Sequence, residues 1–214
     1  MSGQGFGSDP LAGFLEALAS SASTPGGGSA AAVAGGAGAA LVAMVGRLTD
    51  GKHGYEAVWE RMQEIVAAAD EARAAFLSLA DRDTAAFDSV MHAFRMPKDT
   101  DEERAVRSEA IQRAYVDAAW VPAEVARRAV DLMGAAVEAV KSGNANAASD
   151  GLAAANLLFA AAQAALANVV INASSIRDQT AARRLRSEAD ALDARSRDRL
   201  QAAGDAFRRA LESS

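Results

Sequence analysis

The sequence predicts an all-α fold, a single-domain bundle of long, Ala-rich antiparallel helices, and three observations predict it. Alanine, which gives up no side-chain entropy on entering a helix, occurs 56 times in 214 residues. Only four prolines, at positions 10, 25, 97 and 122, interrupt the chain, so long stretches lack the strongest helix breaker. Half of the residues are hydrophobic but only 5% are aromatic, which calls for a core of small side chains and closely approaching backbones. One core suffices at this length. Residues 1–8 read as a flexible N-terminus and 9–214 as the domain.

The elements follow in order. Pro10 after Asp9 opens a short amphipathic helix to Ser20, with Leu11, Phe14, Leu15 and Leu18 on one face. Thr24-Pro25-Gly26-Gly27-Gly28-Ser29 is a loop, and Ser29 is a natural N-cap for a helix over 30–48. Gly35, Gly36 and Gly38 each weaken that helix by about 1 kcal/mol relative to alanine, which implies close approach of another backbone or a ligand. A loop over 49–54 leads to a long helix over 55–94, which Pro97 ends. Thr100-Asp101-Glu102-Glu103 is a capping box that starts a helix over about 100–141, bent near Pro122. Ser142-Gly143-Asn144 closes it. A buried helix over 149–172 follows, then a charged one over 178–211 held by Leu185, Leu192, Leu200 and Phe207.

Composition excludes several functions. With 22 basic and 28 acidic residues the formal charge is -6, which argues against a general nucleic-acid binder. The absence of cysteine removes disulfides, thiolate metal sites and Cys nucleophiles. His53 and His92 form no ligand pattern with neighbouring carboxylates, so no metal is expected. No Gly-x-Ser-x-Gly elbow or Ser-His-Asp order supports hydrolase chemistry of that kind. The Ala-rich stretches 30–45 and 151–173 read as buried bundle helices rather than membrane spans: the first is short and the second carries Asn156, Gln163, Asn168 and Asn172. Residues 1–8 lack the basic start and apolar core of a signal peptide, and a cytoplasmic location is expected.

Five groups of residues carry candidate chemistry. The Gly-rich loop before a helix offers backbone amides and the positive end of a dipole to an anion, although a plain turn fits it too; it has neither the Walker lysine nor the preceding strand of a dinucleotide site. Asp150, in the first turn of the most apolar helix, either complements the dipole or, if desolvated, transfers protons near neutral pH. Asn168 and Asn172 are one turn apart and serve either helix packing or a ligand. Asn168 shares the azimuth of Asp150 but lies about 27 Å along the axis, so an extended ligand or a second subunit is needed to join them. Asp83 with Phe87 sets a carboxylate beside an aromatic ring, or on a solvated face. Lys52 and Lys98 lie in loops, where they meet solvent or a ligand's carboxylates.

Taken in order, Thr24 to Ser29, Met44-Val45, Leu48-Thr49, Gly51-Lys52, Asp83, Phe87, Pro97-Lys98, Val121-Pro122, Gly143-Asn144, Ser149-Asp150, Asn168-Val169 and Ile171-Asn172 resemble the cyclodeaminase/methenyltetrahydrofolate cyclohydrolase family. The resemblance implies an all-helical, usually dimeric enzyme that takes a tetrahydrofolate derivative as substrate and holds no permanent cofactor. It implies Asp150 as the acid/base. It also implies a substrate site drawn from Thr24, Pro25, Gly26, Gly27, Gly28, Ser29, Lys52, Asp83, Lys98, Asn144, Asn146, Asn168 and Asn172. Asp50 inside the Leu-Thr-x-Gly-Lys motif, and His53-Gly54 after it, depart from the family pattern. Cyclodeaminase and cyclohydrolase chemistry both move protons around one tetrahedral carbon, and a positioned carboxylate contributes about 100- to 10,000-fold to such a step. The alternative is a non-catalytic helical assembly or folate-binding protein, which the Ala/Gly-rich surface would also serve.

Overall fold

The computed structural model describes residues 11–212; the expected flexible start and the Asp9-Pro10 helix opening lie outside the described residues. Within them the fold is all-α, as expected. The helices are α1 (Leu11–Leu18), α2 (Gly27–Thr49), α3 (Trp59–Arg95), α4 (Asp101–Ser142), α5 (Ala148–Ser174) and α6 (Gln179–Glu212), with single 3-10 turns at Glu56–Val58 and Ala145–Ala147.

Several boundaries follow from local chemistry. The Thr100 capping box forms, with the Thr100 hydroxyl accepting from the Glu103 amide at 3.1 Å and the Glu103 carboxylate accepting from the Thr100 amide at 3.1 Å. Asp178 caps α6 by accepting from the amides of Thr180 and Ala181. Two expectations need correction. α1 ends at Leu18 and buries only Phe14, leaving Leu11 and Leu15 exposed. Ser29 is not the N-cap of α2: that position is Gly26, in extended backbone, because the Ser29 side chain turns away from its own helix to α3.

Helix α4 runs on through Pro122 to Ser142. Proline has no amide hydrogen, so the carbonyl of Ala118, four residues earlier, lacks its helical donor. The side-chain amide of Asn172 supplies one at 2.9 Å. A helix break is thus repaired from a neighbouring helix.

In the bundle α2 packs between α3 and α5, while α4 packs on α3, α5 and α6. The glycines of α2 set these distances. A methyl group on Gly35 would lie 2.7 Å from the fully buried ring of Phe76, and one on Gly38 would lie 2.8 Å from Leu158. α2 and α5 are each long and apolar enough to cross a membrane by length and composition. Both are built into the bundle, yet neither is buried all round, as the sequence suggested. Of the most apolar stretch of each, 61% and 44% respectively is buried.

Candidate functional site

The N-terminus of α2, the C-terminal half of α3, the middle of α4 and the end of α5 enclose a cleft of about 370 Å³. Along α3, Asp83, Phe87, Val90, Met91 and Phe94 line it, a spacing that keeps them on one helical face. Opposite stand Thr24 and Gly26 to Gly28. Tyr115 and Ala118 come from α4, and Asn168 and Asn172 from α5. None of the lining residues is basic.

Among the described residues Asp83 is the one carboxylate that lines the cleft. Glycine at position 28 makes room for it, since a Cβ there would fall 2.1 Å from Asp83 Oδ1. The hydroxyl of the fully buried Ser29 lies 2.9 Å from Asp83 Oδ2 and 3.2 Å from the Ala80 carbonyl. A hydroxyl has one proton to give, and this placement serves both charge states. When Asp83 is ionised Ser29 donates to it; when Asp83 is protonated it donates to Ser29, whose own proton turns to Ala80. Burial pushes the Asp83 carboxyl above the ordinary carboxylate range, against the opposing pull of the Ser29 hydroxyl and amide. A carboxyl raised in this way gives and takes protons closer to neutrality than a solvated one.

The outer part of the cleft is aromatic. Phe94 and Tyr115 meet edge to face at 6.1 Å, and Phe87 and Phe94 are 38% and 42% exposed. The Arg107 guanidinium covers the Phe94 ring at 5.6 Å and donates to the Phe94 carbonyl. Exposed aromatic faces beside one buried acid suit a flat ring system with a polar or cationic centre.

The structure gathers Thr24, Gly26, Gly27, Gly28, Asp83, Asn168 and Asn172 here, with Ser29 directly behind Asp83. Pro25, joined to Thr24 by a cis peptide, is buried beside the cleft. The nitrogens of both Asn side chains are engaged within the bundle, Asn168 with the Ala164 carbonyl and Asn172 with that of Ala118. Lys98 lies past the end of α3, exposed, and its carbonyl receives Arg104.

Lys52, Asn144, Asn146 and Asp150 are elsewhere, at the other end of α2, whose 23 residues span about 34 Å. Asn144 seals the α4–α5 connection onto α2. Its backbone amide donates to Thr49 Oγ1 at 2.8 Å, its side chain donates to the Leu48 carbonyl at 3.1 Å, and its Oδ1 accepts from the Asn146 amide. Asn146 is exposed, and Asp150 is partly buried in the first turn of α5. Within one chain Asp150 does not line the cleft that holds Asp83. Sequence reading set the acid/base role on Asp150; the enclosed, raised carboxyl is Asp83.

Phe94, Met91 and Tyr115 were not foreseen. Phe94 and Met91 continue the Asp83–Phe87 face at helical spacing, which was a readable signal. Tyr115 had none, because it comes from another helix. Among the described residues no three His, Asp or Glu side chains gather as a metal site.

Comparison with known proteins bears on the same residues. The sequence profile of the family described as Formiminotransferase-cyclodeaminase matches residues 10–191. The chain is 37% identical over 186 residues to the methenyltetrahydrofolate cyclohydrolase of Methylorubrum extorquens, covering 87% of this chain and 89% of that protein. It is 35% identical to the formimidoyltransferase-cyclodeaminase of Gallus gallus over 82% of this chain, but spans only 32% of that longer protein. The crystal structure of formiminotetrahydrofolate cyclodeaminase from Thermotoga maritima superimposes with a TM-score of 0.86 at 34% identity, covering 94% of this chain and 97% of that one.

Proposed function

Because the chain belongs to the formiminotransferase-cyclodeaminase family, we propose that it interconverts tetrahydrofolate-bound one-carbon units at the 5,10-methenyl level, with Asp83 as the proton carrier. The observation that carries the residue assignment is the raised Asp83 carboxyl, held by Ser29 in the cleft beside exposed aromatic rings. The folate derivative enters as substrate, and the scheme uses no other bound group.

The chemistry follows from the charge. In the hydrolytic direction water adds to the cationic methenyl carbon and loses a proton to Asp83. The carbon–N5 bond then breaks as the added hydroxyl gives up its proton to become the carbonyl and N5 takes one, leaving 10-formyltetrahydrofolate, and Asp83 passes the surplus proton to solvent. In deamination N10 attacks the formimino carbon of the 5-formimino compound and its proton passes to the formimino nitrogen, which takes a second proton from Asp83 and departs as ammonia to leave the methenyl product. In both, an ionised Asp83 faces a cationic carbon in a site of low dielectric, where the attraction is stronger than in water. Phe87, Phe94 and Tyr115 offer faces and edges for the pterin or benzoyl ring.

Absorbance at the methenyl band tests this directly. Wild-type protein should remove the band from 5,10-methenyltetrahydrofolate or create it from the 5-formimino compound, and Asp83→Asn should slow that turnover at least about 100-fold. Asp150→Asn is the discriminating partner. If it abolishes turnover while Asp83→Asn leaves it intact, the proton carrier is Asp150 and the assignment fails. A wild-type protein that changes neither substrate overturns the folate reading and favours the binding or assembly alternative.

A further inference from the structure

On α3, Asp83 and Phe94 are eleven residues apart, close to three turns, which sets Phe94 about 16 Å along the axis from the acid and on the same face. A folate derivative has a matching length. From N10 the aminobenzoyl group extends about 6 Å to its carbonyl, and the glutamate adds about 4 Å to its nearer carboxylate. With contacts of about 3 Å at both ends, a reacting carbon at Asp83 brings the tail carboxylate level with Phe94. None of the lining residues is basic, so a cation for that carboxylate has to stand just outside them.

The basic residues at the junction of α3 and α4 are Arg95, Lys98, Arg104 and Arg107. Arg104 is taken up locally, pairing with Asp101 and donating to the carbonyls of Lys98 and Asp99. Arg95 and Lys98 are exposed, and among the described residues no hydrogen bond or ion pair fixes either side chain. Arg107 is held. Its guanidinium lies 5.6 Å from the centre of the Phe94 ring, and Nε and Nη2 donate to the Phe94 carbonyl at 3.2 and 3.1 Å. Those bonds use two of its five N–H donors. No carboxylate among the described residues pairs with it. Glu103, one turn earlier, accepts from the amides of Asp99 and Thr100, and Asp101 is bound by Arg104. Arg107 is therefore a half-buried cation fixed on a lining residue, with three donors and its charge unanswered.

We propose that Arg107 is a specificity-determining residue that receives the ligand's tail carboxylate at the outer end of the cleft, an assignment that rests on the folate reading. It fixes the direction in which the ligand lies, with the benzoyl ring across Phe87 and Phe94 and the pterin towards the Gly-rich turn. A planar guanidinium offers a carboxylate two parallel N–H bonds, and one already stacked on a ring loses less freedom in making them. An unanchored lysine in a loop has neither advantage.

Steady-state kinetics on matched substrates test this: 5,10-methenyltetrahydrofolate against 5,10-methenyltetrahydropteroate, which lacks the glutamate, or the corresponding pair of 5-formimino compounds. Arg107→Ala should raise KM for the folate about tenfold at unchanged kcat, as expected when a charged hydrogen bond made equally in ground and transition states is lost. On the pteroate the same variant should match wild type within about twofold, because the group Arg107 binds is missing. Salt should raise the wild-type KM for the folate and leave that of Arg107→Ala nearly unchanged. Arg107→Gln, which keeps a donor without the charge, should behave like Arg107→Ala, and Arg107→Lys should recover part of the affinity. Arg95→Ala, which removes a charge next to Phe94 in sequence, should stay within about twofold of wild type on both substrates. An unchanged KM for the folate in Arg107→Ala, or an equal loss on folate and pteroate, overturns the proposal; the second result would mean that Arg107 only supports Phe94. A wild type that turns over neither the methenyl nor the 5-formimino folate refutes the folate reading and this role together, whereas an active wild type with an indifferent Arg107→Ala refutes this role alone.

Discussion

Replacing Gly28 by alanine should damage chemistry while leaving the fold as stable as before. A Cβ at this position lies 2.1 Å from Asp83 Oδ1, and ordinary contact begins at 3.4 Å, so the carboxylate must retreat by about 1.3 Å. Asp83 borders an open cleft and can turn into it, so the retreat costs little packing. Alanine also favours helix over glycine by up to about 1 kcal/mol, less in a first turn. Displacing a reacting group by about 1 Å costs on the order of 100-fold in rate. That factor corresponds to about 2.7 kcal/mol of barrier. Following the methenyl absorbance should show kcat reduced about 100-fold, with an unchanged or slightly raised melting temperature by circular dichroism. Gly27→Ala is the internal control, because its Cβ meets only Asn168 Nδ2 at 3.7 Å, and its kcat should stay within about threefold of wild type. A Gly28→Ala protein with wild-type kcat would refute the claim that Asp83 must occupy this position to act.

Two further outcomes concern stability. Burial raises the folded Asp83 carboxyl above its unfolded value, so the folded chain holds that proton more tightly and the ionised group weighs against folding. This cost is absent below the unfolded pKa and grows as pH rises through the folded one; Asp83→Asn should therefore melt higher than wild type near pH 7, with the difference shrinking as pH falls towards 4. Calorimetry showing an equal gain at both pH values, or a loss near pH 7, contradicts this account. Thr49→Val leaves the Asn144 amide without its acceptor at a buried junction, which costs about 1–3 kcal/mol. Urea unfolding should show that loss, and a change below about 0.5 kcal/mol would mean that the junction relaxes freely.

Much of the architecture was legible along the chain because its signals are local. The Thr100–Glu103 capping box needs only a spacing of three residues and forms as read. The start of α2 was misread for the opposite reason. Ser29 looks like an N-cap beside its own helix, but its hydroxyl binds Ala80 and Asp83, more than fifty residues away. Pro122 was legible as an interruption, whereas the donor that repairs it, Asn172, is fifty residues further on. In the candidate site, the Gly-rich turn and the Asp83–Phe87 spacing were visible, but which of Asp83 and Asp150 borders the cleft was not. Asp150 stands in the first turn of α5 and Asp83 in the C-terminal half of α3, and neither position shows along the chain which acid other helices will enclose; only Asp83 is pressed against Ser29 within an aromatic cleft.

Residue order was enough to establish an all-helical chain, the approximate extent of its long helices, the absence of thiol chemistry and a resemblance to folate enzymes. Those properties depend on propensity, period and composition, which act over a few residues at a time. Packing decided which carboxylate is enclosed, which asparagine nitrogens are held within the bundle, and which faces of α2 and α5 stay open. Desolvation and hydrogen-bond pairing depend on groups from distant segments, and only the folded bundle brings those within reach of one another.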